Sequence, residues 1–333
     1  MSGTDTEAYS LGLKDNPHWK FSAVKERVGK TVGKRVVKYA YRPFDTRWVF
    51  YEPLMIERGD HRWPIARHLF KLEGNLNLLV SRTGAAAGSS VWDVLFLAKG
   101  ISDLNLFRRG GAFMFPLYLA PDETELSFGS TKSVNLSAHF LKTLCSHLKL
   151  KPTASGLPAS LTPEDIFHYA YAVFHSPGYR SRYAEFLKID FPRLPLTANL
   201  DLFRALADFG AELAALHLLE ASQLDRHITD FIGVRNIEVE KISWSRDTVW
   251  VDKAQTTGFS GVREPVWNFH IGGYQVCEKW LKDRKGRTLS QDDIAHYQRV
   301  VVALSETIRV TSEIDEVIEQ HGGWPGAFQS TNE

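Results

Sequence analysis

The apolar pattern of the chain changes period twice, and this limits the fold more than any other feature. Residues 1–125 carry short aromatic and β-branched runs: Arg47-Trp48-Val49-Phe50-Tyr51, Leu76 to Val80, Val91 to Ala98 and Phe113 to Leu119. Runs of this kind between turn-rich stretches at 57–64, 83–90 and 108–112 predict strands. In residues 126–230 the spacing becomes helical, beginning with Leu136 to Leu148. Thr162-Pro163-Glu164-Asp165 then opens a helix with a cap, a first-turn proline and two carboxylates at the positive end of the dipole. That helix is expected to end near Ser176-Pro177-Gly178. A second, from Tyr179 to Lys188, should stop at Asp190-Phe191-Pro192-Arg193-Leu194-Pro195, and a long one should cover Asp201 to Glu220.

Strands return after residue 230. Ile237 to Ser243 and Thr248 to Lys253 read as a hairpin across Ser245-Arg246-Asp247, and Val266 to Ile271 as a strand ended by Gly272-Gly273. Tyr274 to Leu281 reads as a short helix, and Ser290-Gln291-Asp292-Asp293 caps a last one running to Gln320. The fold class is α+β: a strand-rich N-terminal subdomain (1–125), a helical subdomain (126–230), and a β-hairpin region with a long C-terminal helix packing on the rest (231–333).

Composition excludes several classes. Hydrophobic residues at 44% and charged residues at 24% are ordinary for a globular protein. No run approaches the ~18 apolar residues of a membrane span, and the first residues lack the basic-then-apolar order of a secretory signal. Cys145 and Cys277 are too few for a disulfide framework and no CxxC or Cys/His cluster suggests zinc, so a reducing, cytoplasmic setting is expected. The net charge of +1 conceals an asymmetry. Residues 1–110 hold 18 Lys/Arg against 11 Asp/Glu, residues 231–290 hold 10 against 7, and residues 291–333 hold 2 against 8. A basic front and an acidic tail leave room for a polyanion-binding face. The acidic helix end, with Glu313, Asp315, Glu316 and Glu319, should face solvent or a basic surface.

The sequence lacks a phosphate loop ending in Gly-Lys-Ser/Thr, a GxGxxG turn, a GxSxG elbow, an HExxH helix and the Asn/Asp-Pro-Pro-aromatic grip of amino-methyltransferases. Gly84-Ala85-Ala86-Ala87-Gly88-Ser89-Ser90 has the small residues of a phosphate loop but no lysine. His168 and His175 share a helix face two turns apart, too distant for one metal. No catalytic residue, cofactor or metal is therefore expected.

Several strings, taken in order, carry a resemblance. Tyr41-Arg42-Pro43-Phe44-Asp45-Thr46-Arg47-Trp48, Phe115-Pro116-Leu117-Tyr118-Leu119, the stretch from Glu164 to Tyr183, Asp190 to Pro195, and Ile271-Gly272-Gly273-Tyr274 with Lys279 to Arg284 run in series. This series resembles the C-terminal target-recognition region of type ISP restriction–modification enzymes and related helicase-like adenine methyltransferases. The resemblance implies a module that reads double-stranded DNA so that a separate domain can methylate an adenine. Its partners would be duplex DNA and the methyltransferase and helicase–nuclease parts of a parent enzyme. The alternatives are a protein-interaction or scaffolding module, or an independent enzyme, for which the sequence offers no converging titratable residues.

A DNA reader needs phosphate contacts for affinity and base-edge contacts for discrimination. The candidates are Arg58, His61 and Arg62 in the loop 57–64; Ser81, Arg82, Thr83, Ser89 and Ser90 around the small-residue loop; and Arg108 and Arg109 before Gly110-Gly111. Lys282, Arg284, Lys285 and Arg287 form a basic run, and Arg180 and Arg182 follow a helix break. Arg42, Asp45 and Arg47 lie among aromatics, where an Asp45–arginine salt bridge is expected.

Overall fold

A computed structural model describes residues 20, 22, 36–51, 59–81, 91–121, 132–234 and 236–329. Strands β1 (Val36–Arg42) and β2 (Asp45–Phe50) form a hairpin. Phe44 at its tip has a left-handed φ of 60° and is buried edge-on against Phe96 and His217. Helix α1 (Gly59–Lys71) follows, where the turn-rich sequence suggests a loop over 57–64. Local propensity misleads here because Gly59, Asp60 and Pro64 resemble turn residues. The tertiary contacts override it: Ala66 and Leu69 are buried with Tyr51, and Trp63 and Phe70 pack on that ring.

Strands β3 (Leu76–Val80), β4 (Leu95–Lys99) and β5 (Phe113–Pro116) make an antiparallel sheet in the order β4-β3-β5. Residues 92–94, expected as strand, are buried but outside the ladder. β6 (Tyr118–Leu119) pairs with β7 (Ser133–Val134). The helices α2 (Ala138–His147), α3 (Pro163–His175), α4 (Pro177–Arg182), α5 (Ala184–Leu187) and α6 (Leu200–His217) come next. The expected single helix over Tyr179–Lys188 is two, broken at Tyr183, whose φ and ψ of −103° and 19° leave the helical region.

α3 and α6 cross at Gly210, where a methyl group would stand 1.9 Å from the His168 carbonyl oxygen, so only glycine allows the approach. Beside that crossing lies a buried polar relay. The Tyr171 hydroxyl donates to His217 Nδ1 at 2.6 Å, and His217 Nε2 bonds Thr307 Oγ1 at 3.0 Å. Thr307 gives its own proton to the Ala303 carbonyl, so it must accept from His217, which fixes the neutral Nε2–H tautomer.

A four-stranded antiparallel sheet follows: β8 (Asp230–Ile232), β9 (Ser243–Ser245), β10 (Thr248–Trp250) and β11 (Gly258–Ser260), in the order β8-β11-β10-β9. The expected hairpin turn is present, closed by Arg246 and Asp247, both with positive φ, as a type I′ turn requires, but its first strand is β9, and Ile237 to Ile242, expected as strand, lie outside the sheet. The strand expected over Val266–Ile271 is instead a helical turn, α7 (Glu264–Trp267), with Pro265 in its first turn, and then β12 (His270–Ile271). Proline removes a ladder donor but suits a helix start, which explains the exchange. β12 turns into β13 (Tyr274–Gln275) and α8 (Val276–Lys282).

Helix α9 (Gln291–Gln320), about 45 Å long at 1.5 Å per residue, closes the fold. Ser290 and Asp293 form a reciprocal capping box, as Thr162 and Asp165 do on α3. α9 buries Ile294, Tyr297, Val301, Leu304, Val310, Ile314 and Ile318 along one stripe. Its acidic end is partly used internally. Asp315 accepts from Ser176 Oγ and, at 2.8 Å, from the Gly178 amide, and Glu313 pairs with Arg309 at 2.7 Å. One buried core runs from Phe44 to Ala327 through residues of all three sequence segments. Among the described residues no helix is long and apolar enough to cross a membrane.

Candidate nucleic-acid interface

One end of the β4-β3-β5 sheet gathers the strongest candidates. β3 leaves the ladder at Val80, paired with Leu95 and Phe113, and the Ser81 amide still donates to the Val94 carbonyl at 3.0 Å. The chain departs after Ser81 and is described again from Val91, at the same sheet end. The turn entering β5 rises there too. Arg109, Gly110 and Gly111 take φ of 67°, 85° and 93°, leaving Arg108 and Arg109 exposed. A methyl on Gly111 would lie 3.2 Å from Ser81 Oγ, so the turn rests on the end of β3.

The β12–β13 turn locks onto the same place. The Arg108 amide donates to the Gly272 carbonyl at 2.7 Å. The Gly272 amide donates to the Asp93 carbonyl at 2.9 Å, and the Gly273 amide to Asp93 Oδ2 at 3.0 Å. A side chain at Gly272 would meet the Phe107 ring at 2.2 Å. Burial raises the Asp93 carboxyl above its usual range, opposed by the Gly273 amide and by the charge of Arg180. Three segments distant in sequence, around residues 93, 108 and 272, thus form one clasp carrying two exposed guanidinium groups.

The remaining candidates divide. Ser81 is 3% exposed and lies under the turn, so its side chain supports the turn and is withdrawn from a surface ligand. Arg180 is likewise a strut. Its Nε donates to the Phe174 carbonyl at 2.9 Å, its guanidinium lies 5.7 Å from the Trp92 ring, and burial lowers its pKa to about 10. Arg182 is exposed, 6.0 Å from the Tyr183 ring. In the basic run, Lys282, Lys285 and Arg287 are exposed, with Lys282 2.8 Å from Glu278 and Arg287 3.7 Å from Asp293.

Arg284 departs from expectation: it is 9% exposed and internal. It contacts Asp45 and Asp293, each at 3.3 Å, donates to the Trp280 carbonyl at 3.0 Å and stacks 3.3 Å over that indole. The expected salt bridge of Asp45 is present twice, to Arg284 and to Arg47 at 2.9 Å. Arg62 is half-buried on α1. His61 falls in α1, its side chain outside the described residues, as are Arg58, Arg82, Thr83, Ser89 and Ser90.

Sequence reading missed two features of this end. Asp93 gave no local signal, because its partners are amides 180 residues away. Phe113 and Phe115 are 46% and 42% exposed and meet the Phe191 ring edge-on, 5.3 and 5.7 Å away. They form an aromatic ledge directly beyond the two arginines, and their i, i+2 spacing on an edge strand was the available sign. Guanidinium forks beside aromatic faces suit base edges and phosphates. Among the described residues no three His, Cys, Asp or Glu converge as a metal site.

A family model described as the Type ISP C-terminal specificity domain matches residues 2–313. The ATP-dependent Type ISP restriction-modification enzyme LlaBIII bound to DNA shares the fold at a TM-score of 0.66 and 21% identity, over 93% of this chain and 20% of that one. The DrdV–DNA complex gives 0.66 and 19%, over 92% and 31%. A nuclease-deletion mutant of the Type ISP restriction-modification enzyme LlaGI, in complex with a DNA substrate mimic, gives 0.59 and 18%, over 84% and 25%. The chain therefore spans between a fifth and a third of the length of these proteins. It matches no curated protein sequence.

Proposed function

Because the chain belongs to the family of Type ISP C-terminal specificity domains, we propose that it reads a double-stranded DNA sequence and holds that site while a methyltransferase in the parent enzyme modifies an adenine. Chemistry resides elsewhere in that enzyme, and the helicase–nuclease portion is a further partner. The observation that carries this reading is the clasp of Asp93, Arg108 and Gly272 under an exposed Arg108–Arg109 pair. Reading an adenine-containing site this way leaves the base free to be extruded into a neighbouring pocket.

The test is selection from a random duplex pool followed by anisotropy titration on the enriched sequence. An Arg108→Ala, Arg109→Ala variant should lose about 1–3 kcal/mol for each guanidinium that reads a guanine, and should relax the preference at those positions. Failure to bind any duplex at low salt would sink the proposal. A second reading, a scaffolding surface, draws on Trp48 and Val36, 65% and 56% exposed on the β1–β2 hairpin. It requires charge reversal at Arg108 and Arg109 to leave methylation by the assembled enzyme unchanged.

A further inference from the structure

From residue 126 to residue 163 the chain contains no Asp or Glu, yet it has Lys132, Lys142, Lys149 and Lys151 and two histidines. Lys132 sits on the Tyr118 ring, 3.7 Å from its centre. Lys142, Lys149 and Lys151 are exposed. Among the described residues no carboxylate lies within salt-bridge reach of these three. His139, Lys142 and Ser146 recur at helical spacing on the outer face of α2, and Lys149 follows just past its end. From His139 to Lys149 the stripe measures about 15 Å, the axial length of about four phosphates of one strand.

We infer that this stripe is a second DNA-contacting surface, one that grips phosphates outside the sequence read at the Arg108–Arg109 end. The inference rests on the DNA-reading function proposed above and adds to it a sequence-independent contact. Lysine ammonium groups are strongly hydrated point charges, suited to phosphate but poor at the forked recognition of a base edge.

The run of lysine charge with no Asp or Glu from 126 to 163 favours DNA as the occupant. An open groove of about 560 Å³ runs beside the stripe, floored by Leu136, Leu141, Leu150 and Pro152 with Lys142 and Lys149 at its edge. That floor is apolar, and the charge beside it is carried by Lys142 and Lys149, which no carboxylate among the described residues neutralises. Lys149 also has a φ of 54° at the close of α2, with the Leu150 amide donating to the Cys145 carbonyl at 3.0 Å. Glycine is the ordinary residue at that left-handed position. Here a strained residue carries an exposed charge.

The experiment is a salt titration of duplex binding by anisotropy, on any duplex long enough to extend past one site. Wild type is compared with a Lys142→Ala, Lys149→Gly, Lys151→Ala variant between about 50 and 200 mM salt. The slope of log K against log salt should fall in magnitude by roughly 2 to 3, near 0.9 for each phosphate no longer neutralised. Lys149→Gly alone should lower it by about 0.9 while holding or raising Tm, which separates binding from folding. A triple Lys→Arg variant should keep the wild-type slope. The inference is overturned if wild type binds duplex and the triple variant keeps its slope. It is equally overturned if that variant loses only binding to polyglutamate, which would assign the stripe to an acidic protein. Wild type binding no duplex at all would remove the DNA-reading function as well.

Discussion

Arg284 holds its charge inside the protein, forked between Asp45 on the N-terminal hairpin and Asp293 at the head of α9. Removing one partner of a buried ion network leaves the others desolvated and uncompensated. Arg284→Met should therefore cost about 3 kcal/mol, read as a lower urea midpoint, and Lys285→Ala beside it should stay within about 0.5 kcal/mol. Arg284→Lys should recover only part, since an ammonium lacks the fork. A loss no larger at 284 than at 285 would contradict the internal role. The sequence Lys282-Asp283-Arg284-Lys285 carries no sign of which cation turns inward, because a charge run looks alike whether solvated or buried. The acidic partner was legible at Asp45, where aromatic neighbours pointed to a desolvated carboxylate. Gly272 makes a second residue-scale case. Gly272→Ala combines a 2.2 Å clash with Phe107 and a left-handed φ of 59°. It should weaken duplex binding in anisotropy together with any loss of Tm.

At the scale of elements, the α3–α6 crossing depends on close backbone approach. Alanine is the better helix former by about 1 kcal/mol, so Gly210→Ala would stabilise an isolated α6. In the protein the new methyl must displace the His168 carbonyl from 1.9 Å, and the thermal midpoint should fall despite the propensity gain. A raised midpoint would mean the helices can part freely. Helix starts were legible at Thr162 and Ser290 because a capping box is built from residues three apart. α1 was hidden, since Tyr51, Trp63 and Phe70 hold it by contacts that its own composition does not announce. Similarly, Val266 to Ile271 had strand-like residues, and the decisive fact was Pro265 one position earlier. The sites followed the same rule. The Arg108–Arg109 turn could be read from two glycines, whereas the Asp93 anchor depended on a fold-level meeting of distant loops.

For the molecule as a whole, the shared core links stability to pH. His217 is held neutral, its pKa lowered to about 3 by burial and then by Arg180, and His175 is lowered by burial, Arg180 and His217. The unfolded chain protonates both near pH 6.5. Stability is therefore complete above that pH and declines below it, by up to about 1.4 kcal/mol per pH unit for each histidine. The urea midpoint should drop between about pH 7 and pH 5, with His217→Gln flattening part of the fall. A flat profile would show that these rings are already charged in the fold. The clasp at the sheet end has a different kind of consequence. Its three strips of chain, near residues 93, 108 and 272, are joined by two backbone–backbone hydrogen bonds and by the Gly273 amide on the Asp93 carboxylate. The strip near 272 bonds both of the others, so recombination that exchanges it between relatives disturbs two joints at once, and exchange of either other strip disturbs one. New target preferences should thus arise by point changes on the exposed rim, or by inheritance of the whole module, and loop grafting should succeed only when all three strips travel together.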